Sequence, residues 1–162
     1  MSEREQFIQS WEREFQTTMK VLKCYPLDKL SLKPHTKCPD AKELAWRIVS
    51  EEKFFVTGAI TGNFDFGGFT PPPATMQEVI SAYENTHVES MGKLKKMTDT
   101  DFSKTIKFMT GPKTMSDIRN GDTLWLMMMD TIHHRGQFSV YLRMADAKVP
   151  SIYGPSADEP WM

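Results

Sequence analysis

The sequence predicts an all-α fold, a four-helix bundle, on three observations. Four stretches carry apolar residues at the three- and four-residue spacing of a helix that buries one face. The breaks between them are rich in proline, glycine and polar residues. No segment shows the sustained alternation of a half-buried strand. The 162 residues suit a single domain, 1–162, large enough to build a core without disulfides or a structural metal.

The first helix is predicted over 2–23, where Phe7, Ile8, Trp11, Phe15, Met19 and Leu22 form one stripe. Tyr25-Pro26 ends it, and a polar connector follows. Asp40 with Glu43 has capping-box spacing and opens the second helix, over 40–61, with Leu44, Ile48, Phe55 and Ala59 on its buried face. Thr75 with Glu78 repeats that spacing and opens the third, over 75–97, with Met76, Val79, Ile80, Tyr83, Met91 and Leu94 inward. Residues 98–113 lack a period and read as a long loop with a short extended piece at most. The fourth helix is predicted over about 116–146, its start falling between Ser116 and Asp122, and is apolar almost all round, from Leu124 to Leu142. A helix without a polar face is covered on several sides, here by the centre of the bundle and by a second subunit, which predicts a homodimer. Residues 147–162 form a proline-containing tail.

Twenty Lys and Arg against 21 Asp and Glu leave a net charge of −1, which argues against nucleic acid or an anionic membrane as partner. No apolar run reaches the length of a membrane span, and the acidic start is not a secretory signal. Cys24 and Cys38 cannot form a disulfide framework or a zinc ribbon alone. A cytoplasmic location follows as the expectation. There is no Gly-rich phosphate loop and no nucleophile elbow.

The informative segment is Asp130 to Gln137, because it places polar side chains inside the most apolar part of the chain. Asp130 and His134 are one helical turn apart, about 6 Å along the axis. Such a pair can bind one divalent cation, or Asp130 can orient His134 as a general base. The plainer reading is a buried ion pair that fixes helix register. His87 near the third stripe reads as a core-edge histidine bonded to a carbonyl, and His35 as solvated. Glu51 and Glu52 read as a solvated edge or as partners of Lys53 or Arg47, with a ligand role as the alternative. Met127, Met128 and Met129 read as adaptable core or interface filler, and Cys24 as unactivated.

Leu44 to Val49, the His133-His134-Arg135-Gly136-Gln137 core, and the tail Val149 to Ser156 together resemble the DinB-like superfamily. The resemblance implies a four-helix bundle in up-down-down-up order, often dimeric. It also implies a divalent metal bound by three histidines, one from the second helix and two from the last. Relatives include thiol-dependent transferases and isomerases. Here Arg47 and Asp130 stand at two of those three positions, and only His134 keeps the ligand. Arg47 cannot ligate, because its guanidinium has no lone pair. Asp130 can, to zinc, nickel, manganese or iron.

The preferred expectation is that Arg47 replaces the metal's charge and pairs with Asp130, so that a metal is held weakly or not at all. The alternative is an Asp130/His134 metal site completed by water or a nearby Glu. The function is then either a small-molecule transferase or hydrolase, using a thiol or another small ligand, with catalysis by His134, Asp130 and Arg47, or a non-catalytic dimer that has lost the site.

Overall fold

Ser2, Asp40 and Thr75 each open a long helix in the computed structural model, which describes residues 1–162. At each start the side-chain oxygen accepts a backbone N–H three residues on, and the glutamate there (Glu5, Glu43 or Glu78) accepts the N–H of the capping residue. The helices are α1 (Glu3–Lys23), α2 (Ala41–Thr61) and α3 (Met76–Leu94). Gly62 closes α2 at φ 73°, a left-handed conformation that favours glycine.

Beyond α3 the chain differs from expectation. Thr98 and Asp101 form a fourth capping box and open a short helix, α4 (Asp99–Ser103). Next comes an antiparallel hairpin, β1 (Thr105–Gly111) and β2 (Thr114–Arg119), pairing Ile106 with Ile118 and Phe108 with Ser116. Lys113, at φ 57°, makes its turn. The last helix, α5 (Asn120–Met144), starts at 120, within the expected window of 116 to 122, because 116–119 are committed to the ladder. The third helix stops short of 97, to let Thr98 cap α4. The fold is thus helical with a small antiparallel sheet. No helix is long and apolar enough to cross a membrane.

Packing follows the apolar stripes. α2 lies against both α3 and α5, and α1 packs on the same two helices. One core region joins Phe15, Leu22, Leu44, Ile48, Tyr83 and Phe138. The other joins Phe7, Trp11, Phe55, Phe64, Leu94, Leu124 and Met127. Of the methionine run, Met127 is buried, Met128 half-buried and Met129 exposed. Leu126, Met129, Val140 and Met144 lie on the outer side of α5.

Two contacts fix the start of α5. Asn120 Nδ2 donates to Ala59 O at 2.8 Å and to Asp101 O at 3.1 Å. A Cβ on Gly121 would fall 2.6 Å from the Phe102 ring, so only glycine lets α4 approach this closely. At the other end of the chain, the tail crosses back over α1 and α5. Glu159 accepts from Lys20 Nζ at 2.8 Å and Ser151 N at 2.7 Å, which holds its carboxyl down at about 2. Asp158 accepts from Arg143 at 2.7 Å and from Val149 N at 2.9 Å. Tyr153 donates its hydroxyl to Glu14 at 2.6 Å.

Candidate metal centre

Asp130 and His134 face α2 from consecutive turns of α5, and α2 answers with Glu51. His134 Nε2 is 3.3 Å from Glu51 Oε1 and 3.6 Å from Asp130 Oδ1. One ligand atom from each of the three residues lies within 4.8 Å of the others, so the cluster could hold a metal ion. His134 is buried, and both carboxylates are half-buried.

The far side of the imidazole is fixed as well. His134 Nδ1 lies 3.0 Å from Gln137 Oε1, while Gln137 Nε2 lies 3.0 Å from His133 Nε2. The amide nitrogen must donate to His133, which leaves its oxygen to accept from Nδ1–H of His134. A neutral His134 then presents the Nε2 lone pair to two carboxylates. That arrangement is repulsive until a second proton or a cation occupies the gap. Glu51 Oε2 is buried with no hydrogen-bond partner, a second sign of unmet demand for positive charge. Burial pushes the Glu51 carboxyl up, partly offset by the His134 contact. The Glu51 hydrogen bond raises His134 against the opposing effect of burial, with help from Gln137. Two carboxylate oxygens and one imidazole nitrogen are hard and borderline donors that suit zinc, manganese or iron, so the residues present fit a divalent ion.

The structure brings Asp130 and His134 together but not Arg47. Arg47 is exposed, and its guanidinium pairs with no carboxylate within 4.0 Å, so the expected Arg47–Asp130 ion pair is replaced by Asp130–His134. Arg47 precedes Glu51 by one turn on the same flank of α2, and the shorter carboxylate is the group that reaches α5. Leaving the guanidinium in water avoids a large desolvation cost. Its charge still acts on Glu51 from a distance, as the smallest of the influences that lower that carboxyl.

Glu51 and Glu52 both turn inward, neither pairing with Lys53 or Arg47. Glu52 is fully buried and accepts from Trp11 Nε1 at 2.9 Å, with His87 Nδ1 at 3.0 Å. His87 therefore meets carboxylates and not a carbonyl, with Glu12 at 3.3 Å on its other nitrogen and Phe15 stacked at 3.7 Å. Arg135 is also buried, and it pairs with Glu14 at 2.7 Å. His35 is exposed, its Nδ1 accepting from Lys37 N. Burial raises the Cys24 thiol, which keeps it protonated. Sequence reasoning left the part of Glu51 open. The signal that marks it is its place one turn after Arg47, which carries the second-helix ligand position toward α5.

A helical fold with a small sheet and a possible metal-binding triad between its second and last helices defines a class of small helical proteins. The chain belongs to the DinB family, which it matches over residues 1–161. It is 28% identical over 159 residues to the uncharacterized protein YrdA of Bacillus subtilis (strain 168), covering 94% of this chain and 89% of that one. A DinB-like protein from Bacillus cereus ATCC 10987 superposes with a TM-score of 0.78 at 24% identity, over 92% of this chain and 97% of that one. The DinB-like protein YjoA of Bacillus subtilis gives 0.72 at 19%, over 88% and 94%. A mycothiol-dependent maleylpyruvate isomerase gives 0.52 at 15% identity, over 82% of this chain and 60% of that one. At these identities the structural likenesses report a shared fold.

Proposed function

We propose that the protein is a DinB-family metalloenzyme, a small-molecule hydrolase or thiol-dependent transferase, whose divalent ion is held by Glu51, Asp130 and His134. One observation carries the reading: a fixed Nε2 lone pair, two carboxylates and an unpartnered buried oxygen converge on one gap between α2 and α5. In such a site a bound metal lowers the pKa of a coordinated water or thiol. Gln137 holds His134 in the Nδ1–H tautomer, as outer-shell partners of ligating histidines do. Glu51 Oε2, buried beside the gap, is placed to take up a proton released there. Exposed Arg47, one turn away, can receive an anionic group of the substrate at the mouth of the site.

The same proposal covers the assembly: one domain over 1–162, helices in up-down-down-up order, and a cytoplasmic homodimer joined through the outer side of α5. The exposed Leu126, Met129, Val140 and Met144 support that face. Sedimentation should then give a mass near twice 18.6 kDa.

The test is calorimetric titration of zinc and manganese into chelator-stripped, tag-free protein. One ion per chain should bind, with dissociation constants below roughly 10 μM. Glu51→Ala, Asp130→Ala and His134→Ala should each remove it. Wild-type protein that binds neither ion would overturn the reading and leave His134 as a protonated bridge between two carboxylates.

A further inference from the structure

The flank of α2 opposite the carboxylate–histidine cluster holds a different feature. Lys53 stands about 200° around the helix from Glu51. There α2, α3 and the connector that follows Gly62 enclose a cavity of about 470 Å³. Three aromatic side chains line it among mostly polar groups: Trp46 and Phe54 from α2, and Phe69 from the connector. Phe69 remains 47% exposed, an apolar ring held open to the cavity mouth.

The connector is built to stand off the helix. Trp46 Nε1 donates to Thr70 O at 2.7 Å. Phe64 is buried against Gly58, where a Cβ would sit 2.2 Å from the ring. Asp65 accepts from Gly67 N at 3.1 Å, and a Cβ on Gly68 would meet its other oxygen at 2.4 Å. These ties fasten both ends of residues 63–70 and turn one oxygen of the exposed Asp65 carboxylate toward its own loop. The cavity is therefore formed before any ligand arrives.

The polar groups that remain are uncommitted. Lys53 is the one cation of the lining and Asp65 its one carboxylate, and Lys53 forms no ion pair within 4.0 Å with Asp65 or with Glu89 of α3, whose carboxyl its charge helps to lower. Asn85 and Ser50 line the same space, and their side chains make no hydrogen bond within the protein. Three aromatic rings lining the same cavity as an unpaired ammonium and neutral amide and hydroxyl groups, with Asp65 set apart on the connector, complement a flat ring that carries one negative charge toward α2.

We propose that this cavity is a second ligand site, separate from the carboxylate–histidine cluster, that binds a small aromatic carboxylic acid. The ring lies among Trp46, Phe54 and Phe69, and the carboxylate meets Lys53.

The test uses three probes with one ring and three charges: indole-3-acetate, indole-3-ethanol and tryptamine. Each is titrated into uniformly 15N-labelled full-length protein, and the indole N–H of Trp46 and the side-chain amide of Asn85 are followed by NMR. Indole-3-acetate should bind most tightly and tryptamine least. Lys53→Met should weaken indole-3-acetate by about tenfold and leave indole-3-ethanol within about twofold. Phe69→Ser should weaken both. Exposed Lys53 and Phe69 can be replaced without touching the core, and an unchanged spectrum elsewhere verifies the fold. The proposal fails if no probe shifts Trp46 or Asn85 up to about 5 mM. It fails equally if tryptamine binds as tightly as the acid, if Lys53→Met keeps the acid preference, or if the shifts centre on His134 instead.

Discussion

Replacing Arg135 by methionine probes the most heavily bonded charge in the interior. The residue is 1% exposed. It pairs with Glu14 Oε2 at 2.7 Å, donates to Glu14 O at 3.2 Å and Thr18 Oγ1 at 3.0 Å, and bonds the Tyr153 hydroxyl. Methionine keeps most of the stem's packing but leaves the Glu14 carboxylate without its cation. Removing one partner of a buried pair costs about 3–5 kcal/mol. Glu14 is 15% exposed and keeps the Tyr153 hydroxyl, which places the cost at the lower end, about 3 kcal/mol. For a domain of this size that lowers Tm by about 6–12 °C. Urea denaturation followed by far-UV circular dichroism measures it. Adding Glu14→Gln to Arg135→Met should recover about 1–2 kcal/mol, because the stranded charge is gone. A single variant within 1 kcal/mol of wild type, or a double variant less stable than the single, would refute the assignment of a buried, mutually dependent pair.

Gly58→Ala should destabilise the protein by about 1–3 kcal/mol, since its Cβ would fall 2.2 Å from the Phe64 ring; a urea midpoint equal to wild type would show the ring moves aside freely. Gln137→Leu should weaken zinc binding by about 10–100-fold in calorimetry without removing the site, because it releases the His134 tautomer. Zinc affinity should climb with pH and keep climbing past about 6.5, since the contact with Glu51 raises His134 and the proton must leave before the metal enters; affinity flat from pH 6 to 8 would contradict this. Without metal the sign for stability is opposite. Glu51 and His134 both hold protons more tightly in the folded chain, so their stabilisation fades as pH rises, from about 4.5 for Glu51 and about 6.5 for His134. Urea midpoints in EDTA that rise, relative to His134→Gln, between pH 6.5 and 8.5 would reject that linkage.

The long helices were legible because their signals are local. Ser2, Asp40 and Thr75 announce starts within four residues, and the stripes of Phe7 to Leu22 and Met76 to Leu94 repeat every turn. The hairpin was not, because a two-stranded sheet facing water needs little apolar alternation: Met109 and Met115, paired across it, are both largely exposed. The Thr98–Asp101 box was overlooked since it opens a helix of a single turn. At the site, Asp130 and His134 share one helix, and their spacing alone brought them together. Glu51 reaches them across an interhelical contact, and which of Arg47, Glu51 and Glu52 points across it depends on the rotation of α2, set by packing around Leu44 and Ile48. One stripe fixes that rotation only to within a residue or so.

Glu159 and Lys20 are 139 positions apart, as are Tyr153 and Glu14. Contacts of such separation form only after the intervening chain has been gathered in, and they carry a loop-closure cost that neighbours in sequence avoid. The tail therefore fastens the first and last helices from outside, as a strap that closes on a finished body. Its anchoring side chains, apart from Arg135, sit near water, so its release is a small opening and not a global one. Hydrogen exchange of the Ser151 and Glu159 amides should then run ahead of exchange in α2, and each such opening would uncover the Arg135 guanidinium while the remaining helices stay packed.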